Sequence, residues 1–273
     1  MLLAVDIGNT NIVVAVFKGE DMAFCWRLAT ETRRTEDDYA AVLFTLAGHE
    51  GLDLRECRTA IISSVVPALT ASFAEVIRRG CGCRAYILTP AILNEGILPV
   101  SMVQGAAAEI GTDLICDAMG AWERFKTASI VVDFGTALSF VVTDSRGVIR
   151  GVDIAPGLLT AVKSLFTNTA QLPQVPLAAP PSSLGTNTVE AIQAGVVLGY
   201  KGLVEFLVAA IKQELFMLSG DKPESVRVIA TGGLSGVLAG ITDVFTAVDS
   251  ELTIRGLRAI ASLVCEISNQ LLK

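Results

Sequence analysis

The chain has 273 residues, of which 52% are apolar, enough to form a buried core in one or two domains. Its net charge is −7 and it contains no block of lysine and arginine, so a nucleic-acid-binding surface is not expected. The chain begins directly with a strand-like apolar run, and its least charged stretch, 191–211, still contains Lys201 and Glu205, so we expect a cytoplasmic protein with neither a signal peptide nor a membrane span.

The first half of the chain predicts a three-strand meander followed by alternating helices and strands. Strand-like apolar runs, joined by short polar turns, occupy 2–7, 11–17 and 22–28. A helix is expected to begin at Thr35, because the three acidic residues that follow it suit the positive end of the helix dipole. Beyond it, the pattern predicts strands near 58–64 and 84–88 and helices after Pro67 and over 106–126.

The second half repeats this order of elements. Its predicted strands cover 129–133, 138–143, 148 onward and 225–231, and its predicted helices cover 157–167, 187–217 and 252–272. The stretch 191–211 is expected to be a buried amphipathic helix, and the proline-rich segment 173–185 a connector. Strand, acidic turn, strand, turn and strand occur in both halves, which indicates an internal duplication and two α/β domains, 1–118 and 119–273.

Two acidic glycine turns, Asp6-Ile-Gly-Asn-Thr10 and Asp133-Phe-Gly-Thr136, stand where apolar strands end. A third glycine turn, Thr231-Gly-Gly233, follows a later strand. A single turn of this composition is more often only structural, because Asp, Asn and Gly favour turns in general. Two such turns with matching strands, together with the third, predict a cleft that binds a nucleoside triphosphate and its metal.

The residues of these turns suit phosphate chemistry. Gly8 and Gly135 allow the backbone to approach a phosphate closely, and Gly232 and Gly233 allow an adenine ring to lie against the main chain. The expected phosphate donors are the amides and hydroxyls of Asn9, Thr10, Asn11 and Thr136. Asp6 and Asp133 offer carboxylate oxygens to Mg²⁺, directly or through water. With one histidine in the chain, a zinc site is not expected, and no P-loop motif is present.

The arrangement resembles the actin, Hsp70 and sugar-kinase superfamily, and more narrowly the type III pantothenate kinases. The motifs that carry the narrower resemblance are Asp6-Ile-Gly-Asn-Thr-Asn-Ile-Val13, Trp26-Arg-Leu-Ala-Thr30, Thr35-Glu-Asp-Asp-Tyr39, Ser63-Ser-Val-Val-Pro67, Glu109-Ile-Gly-Thr-Asp113, Val131-Val-Asp-Phe-Gly-Thr-Ala137, Ile154-Ala-Pro-Gly157, Thr169-Ala-Gln-Leu-Pro173, Gly185-Thr-Asn-Thr-Val-Glu-Ala191, Ala230-Thr-Gly-Gly-Leu234 and Asp249-Ser-Glu-Leu-Thr253. The resemblance implies two ribonuclease-H-like domains, each with a mixed sheet and flanking helices.

The resemblance also implies an activity and roles for particular residues. The family transfers phosphate from ATP to pantothenate, giving 4'-phosphopantothenate in the first step of coenzyme A synthesis. It works as a homodimer and needs a monovalent cation, K⁺ or NH₄⁺. Carried over, residues 6–13 and Thr136 would contact ATP, Asp133 would bind the monovalent cation and Asp113 would be the catalytic base. Pantothenate would be contacted by Gly111, Thr112, Leu114 and, across the dimer, Thr188.

Departures from the family pattern cluster around Asp113. Leu114 replaces an arginine, Asp117 an asparagine, Gln104 a tyrosine, and Ala106-Ala107 an Asn-Pro pair. An arginine facing the pantothenate carboxylate would contribute roughly 1.5–3 kcal/mol, so leucine implies binding weaker by about 10- to 150-fold. On a helix, Asp113 and Asp117 stand at i and i+4, and repulsion would raise the pKa of at least one of them unless a cation lies between them.

Three functions therefore stay open at this point. The chain is a pantothenate kinase with an altered acceptor pocket, a catalytically impaired subunit that completes its site with a paralogue in a hetero-oligomer, or a kinase for another small hydroxyl substrate. The first function predicts that the lone chain forms phosphopantothenate. The second predicts activity only on co-expression with the paralogue, and the third predicts turnover that pantothenate does not elicit.

Overall fold

The computed structural model describes residues 1–103, 109–168 and 172–271. The chain divides into two compact units, Met1–Glu123 with Thr253–Lys273, and Arg124–Leu252, called unit 1 and unit 2 below. They differ from the predicted domains in two respects. The division lies after residue 123 rather than 118, and the C-terminal helix belongs with the first unit rather than the second.

Strands and helices largely follow the predicted order. In chain order the strands are β1 (Leu2–Ile7), β2 (Asn11–Lys18), β3 (Asp21–Ala29), β4 (Thr59–Ser64), β5 (Ala85–Ile87), β6 (Ser101–Met102), β7 (Ser129–Phe134), β8 (Ala137–Thr143), β9 (Val148–Pro156), β10 (Arg227–Thr231) and β11 (Ala247–Val248). The α-helices are α1 (Glu36–His49), α2 (Pro67–Cys81), α3 (Thr112–Phe125), α4 (Leu158–Asn168), α5 (Thr188–Gln193), α6 (Gly199–Ser219), α7 (Ser235–Ala239) and α8 (Leu252–Leu271). The two shortest strands and α7 were not predicted, because each is too brief to show a periodicity.

The sheets of the two units share one strand order. The first sheet has the order β3-β2-β1-β4-β5, and five of the six strands of the second sheet run in the corresponding order β9-β8-β7-β10-β11. In each, a tight turn makes the first two strands antiparallel, whereas the strand on the other side of the first is reached by a longer connection and is parallel to it. The internal duplication predicted from the sequence is thus confirmed in the topology.

The capping of α1 follows directly from its sequence. Thr35 Oγ1 accepts a hydrogen bond from the Asp38 amide at 3.3 Å, and the Asp38 carboxylate accepts one from the Thr35 amide at 2.9 Å. These reciprocal bonds satisfy backbone donors that the first helical turn leaves unpaired. The predicted helix start is confirmed.

The C-terminal helix α8 joins unit 1 through a close crossing with α3. A Cβ built on Gly256 would lie 2.8 Å from Gly120 N and would also overlap the Cys116 carbonyl oxygen. Only glycine permits this approach of two backbones. The contact explains why residues 253–273 belong to the first unit although they follow the second in sequence.

Helix α6 continues from α5 through a π-helical stretch, Ala194–Leu198, so that one apolar helix spans Thr188–Ser219. One stripe of it, Val204, Val208, Ile211 and Leu215, packs in the core of unit 2. The other side is exposed. Of the most apolar 18-residue stretch of the whole helix, 28% is buried. Ile192, Ala194, Val196 and Val197 are buried as well. The expectation of a buried amphipathic helix is therefore confirmed for these two sets of residues and wrong for the exposed side. By length and composition alone it also qualifies as a membrane span, the one such helix among the described residues.

Candidate functional site

The two acidic turns occupy equivalent positions in the two sheets. Asp6 lies near the end of β1, in register with Ser63 of the parallel strand β4. Asp133 lies near the end of β7, in register with Thr231 of the parallel strand β10. Because carboxyl ends of parallel strands meet at one edge of a sheet, each unit gathers its turns where α/β proteins bind ligands.

The first turn is held from inside unit 1. Gly8 N donates to Asn11 O at 3.0 Å, and a Cβ on Gly8 would lie 3.1 Å from that same oxygen. Thr30, at the end of β3, donates its hydroxyl to Gly8 O at 2.7 Å and its amide to Thr10 O at 3.0 Å. Asn9, Thr10 and Asn11 are exposed. The turn thus has a fixed backbone with its predicted phosphate donors at the surface, and Thr30 is a supporting residue to which the sequence assigned no role.

The second turn is held by the start of α4. Gly157 N donates to Thr136 O at 3.2 Å, and Thr160 Oγ1 donates to the same oxygen at 2.8 Å. A Cβ on Gly157 would lie 2.5 Å from Gly135 O. Thr136 is exposed and Gly135 is half-buried. Gly157 therefore fixes the turn. The family resemblance placed Gly157 in the motif Ile154-Ala-Pro-Gly157 but assigned it no role.

The third turn separates two glycines that look equivalent in the sequence. Gly232 has φ +86°, and a Cβ there would lie 2.8 Å from Phe134 N and overlap Asp133 Oδ1. Ser235 donates its hydroxyl to Gly232 O at 2.8 Å. A Cβ on Gly233, in contrast, would meet no atom within 4 Å. Gly232 thus lets the chain pass over the Asp133 carboxylate, whereas Gly233 leaves open space.

Asp113 lies in the first turn of α3, where its carboxylate folds back over Gly111. Its Oδ1 accepts the Leu114 amide at 2.9 Å, and a Cβ on Gly111 would overlap that oxygen. Burial raises the pKa of Asp113, although the backbone hydrogen bonds oppose it. The cause is thus desolvation rather than the repulsion from Asp117 that the helical spacing suggested. A carboxylate with a raised pKa is a stronger base for an alcohol proton.

Several carboxylates of unit 1 lie around Cys116. Burial first, and then the charges of Asp6, Asp117 and Asp113, raise the pKa of the Cys116 thiol. Asp117 is fully buried and accepts a hydrogen bond from Thr253 Oγ1 of α8 at 2.6 Å. Unit 1 therefore brings Asp113 and Asp6 to one region, while Asp117 ties α3 to α8.

The neighbours of Asp113 are mostly buried. Leu114 is 8% exposed and Thr112 is 5% exposed. The Thr112 hydroxyl lies 3.0 Å from Ser63 Oγ and accepts the Ser64 amide at 3.2 Å. The departures Gln104, Ala106 and Ala107, and the predicted start of this helix, lie outside the described residues.

Thr188 stands in unit 2, exposed at the first position of α5. The helix is capped by Asn187, whose Oδ1 accepts the Glu190 amide at 3.0 Å. Thr188 lines an open pocket of 680 Å³, whose other lining residues include Gly185, Asn187, Leu165, Ile192 and Val196. Its lining combines polar residues at the start of α5 with apolar residues of α4 and α5 and of the helical stretch that follows α5.

Metal ligands are sparse. Among the described residues no three His, Cys, Asp or Glu side chains are arranged to hold a metal ion. Asp6 and Asp133 each offer a carboxylate of the kind that a phosphate-bound Mg²⁺ accepts, because this ion commonly takes only one or two carboxylates and completes its shell with phosphate oxygens and water.

Comparison with known proteins gives consistent matches. The family profile described as type III pantothenate kinase matches residues 2–210. A type III pantothenate kinase from Treponema pallidum (strain Nichols) is 40% identical over 96% of this chain and 94% of its own. A Baf family protein from Campylobacter jejuni has a TM-score of 0.57 at 19% identity, over 98% of this chain and 99% of its own. A ROK family glucokinase from Streptomyces griseus, solved with glucose and AMPPNP, has a TM-score of 0.50 at 13% identity, over 96% and 99%. The two structural matches confirm the predicted fold, that of the actin-like ATPases and sugar kinases.

Proposed function

The chain belongs to the type III pantothenate kinase family, and from this premise we propose that it transfers the γ-phosphoryl group of ATP to the hydroxyl of pantothenate. The product is 4'-phosphopantothenate, formed in the first step of coenzyme A synthesis. The structural observation that carries the proposal is Asp113, half-buried beside Gly111 with a raised pKa, in the unit that also holds the Asp6 turn.

Asp113 is the proposed catalytic base. As the acceptor hydroxyl attacks the γ-phosphorus, its proton passes to the Asp113 carboxylate, and the bond to the leaving ADP oxygen breaks. The raised pKa reduces the energetic mismatch between carboxylate and alcohol. Gly111, Thr112 and Leu114 are assigned to the acceptor side of the same site, and Thr188 is assigned a contact with pantothenate across the dimer.

The glycine turns bind ATP. The donors of Asn9, Thr10, Asn11 and Thr136 stand on turns whose carbonyl oxygens are already bonded internally, so the turns need little reorganisation when phosphate binds. Gly8 and Gly135 permit the close approach of the phosphates. Gly232 and Gly233 lie against the adenine.

Two cations complete the proposed site. Mg²⁺, held by the ATP phosphates with Asp6 or Asp133, neutralises charge on the transferring group. The monovalent cation, K⁺ or NH₄⁺, is assigned to Asp133. We place the active enzyme in the cytoplasm as a homodimer, with no nucleic-acid or membrane partner.

A labelled-ATP assay on the purified lone chain tests the proposal. With pantothenate, Mg²⁺ and NH₄⁺ present, we expect phosphopantothenate, and Asp113→Asn as the matched control should form none while binding ATP normally. Omission of NH₄⁺ and K⁺ should lower turnover.

The same assay separates the other functions. Turnover that appears only on co-expression with a paralogue would indicate an impaired subunit. ATP consumption with another alcohol but not with pantothenate would indicate a different substrate. Such a substrate would lack the carboxylate that an arginine at position 114 would bind.

A further inference from the structure

The hydroxyl of Thr112 joins the first turn of α3 to the end of β4. Thr112 Oγ1 lies 3.0 Å from Ser63 Oγ and accepts the Ser64 amide at 3.2 Å. Thr112 is 5% exposed and Ser63 is fully buried. A hydrogen bond shielded from water in this way fixes geometry more firmly than one at the surface.

The two ends of this connection carry proposed catalytic parts. Asp113 is the next residue after Thr112, and Ser63 is in register with Asp6 on the neighbouring strand. The hydroxyl therefore ties the helix that bears the base to the strand beside the phosphate turn. At 5% exposure Thr112 has little surface with which to touch a substrate, so its hydroxyl serves the acceptor side by holding the helix rather than by the direct contact that the resemblance implies.

We propose that Thr112 is a positioning residue, which holds Asp113 at the correct distance from the acceptor hydroxyl; this inference rests on the proposed kinase function. Phosphoryl transfer depends on alignment of base, acceptor and phosphate, and displacement by about 1 Å can lower the rate by as much as 100-fold. Valine has the shape of threonine but cannot bond to Ser63 and Ser64. Serine keeps the hydroxyl and loses only a methyl group.

The test compares Thr112→Val with Thr112→Ser. We expect the valine variant to lose about 10- to 100-fold in kcat, with the KM for ATP within about twofold of wild type. The serine variant should recover most of the activity. Hydrogen exchange at the amides of residues 112–117 should be faster in the valine variant and near wild type in the serine variant.

Thr246→Val is the matched control. Thr246 Oγ1 also bridges backbone groups, accepting from Val228 N at 3.0 Å and donating to Val228 O at 3.0 Å, but it belongs to unit 2. This variant should lose stability without a change in kcat. If the valine variant at 112 does not fold, Ser63→Ala removes one of the same bonds from the β4 side and is assayed in its place.

Two results would overturn the proposal. One is faster exchange in α3 with unchanged kcat, which would make the connection only structural. The other is unchanged exchange, which would mean that the hydroxyl does not hold the helix. If wild type does not phosphorylate pantothenate, the proposed function fails, and the exchange measurement still decides whether Thr112 anchors α3.

Discussion

Replacing Gly232 by alanine should destabilise unit 2, whereas the same change at Gly233 should not. At Gly232 two costs combine. The backbone is in the left-handed region, with φ +86°, and the added Cβ would lie 2.8 Å from Phe134 N and overlap Asp133 Oδ1. The preceding residue, Thr231, is fully buried at the end of a central strand, so the turn has little freedom to shift.

The magnitude follows from these two terms. A left-handed conformation costs a residue with a Cβ roughly 1–2 kcal/mol. Overpacking against fixed backbone atoms adds about 1–3 kcal/mol. We therefore expect Gly232→Ala to lower the free energy of unfolding by about 2–5 kcal/mol. Gly233→Ala should change it by less than about 0.5 kcal/mol, because its Cβ would meet nothing within 4 Å.

Urea unfolding followed by circular dichroism measures the difference. Both tryptophans, Trp26 and Trp122, belong to unit 1. Tryptophan fluorescence therefore follows the unfolding of unit 1 and serves as an internal reference for substitutions made in unit 2. Calorimetry with Mg·ATP adds a second readout. Gly233→Ala, stable but weaker in ATP binding, would support a direct contact between Gly233 and the nucleotide.

Equal stability of the two alanine variants would refute the reasoning. So would a Gly232→Ala protein within about 0.5 kcal/mol of wild type, because either result would show that the turn relaxes freely around the Asp133 carboxylate.

Three further predictions concern individual side chains. Burial raises the pKa of Asp113, so the stability linked to this group is present below its unfolded-state pKa and is lost as pH rises through its folded-state pKa. Asp113→Asn should therefore melt at a higher temperature than wild type at pH 7, with a smaller difference at pH 4. A lower melting temperature of the variant at pH 7 would contradict this. Gly111→Ala should push the Asp113 carboxylate aside and lower kcat by about 10- to 100-fold, measured by turnover. Its ATP affinity, measured by calorimetry, should stay within about twofold of wild type. An unchanged kcat would mean that the carboxylate tolerates the new methyl group. In unit 2, Arg150 donates to the fully buried Asp144 at 2.8 Å. Asp144 keeps two backbone donors and Arg146 when Arg150 is removed, so Arg150→Ala should cost about 1.5–3 kcal/mol in urea unfolding at neutral pH without loss of ATP affinity. Hydrogen bonding holds the pKa of Asp144 below its usual value, although burial opposes it. The contribution of Asp144 to stability is therefore present above the unfolded-state pKa of about 3.9 and is lost as pH falls through the folded-state pKa. The difference in unfolding free energy between Arg150→Ala and wild type should shrink in acid, and a constant difference would count against this linkage.

Local signals predicted much of the architecture. Thr35 and its acidic followers predicted the start of α1, because capping depends on residues adjacent in sequence. The repeated order of strand, acidic turn and strand predicted two sheets of one topology, because hairpins and their turns are also local. The fold and the family were thus accessible before any coordinates.

The placement of α8 was not accessible in the same way. Its position in unit 1 depends on Gly256 meeting Cys116 and Gly120, residues more than a hundred positions earlier in the chain. The pairing of Asp117 with Thr253 is equally remote in sequence. No local periodicity encodes which surface an amphipathic helix will cover.

By itself the sequence determined which residue types stand at the turns, which chemistry they suit, and that the chain is a kinase of this family. Tertiary structure alone decided which of the two glycines has no room for a Cβ, what raises the pKa of Asp113, and that the Thr112 hydroxyl faces Ser63. The physical reason is that composition and periodicity act over a few neighbouring residues. Steric clash, desolvation and buried hydrogen bonds arise only when distant segments are packed together.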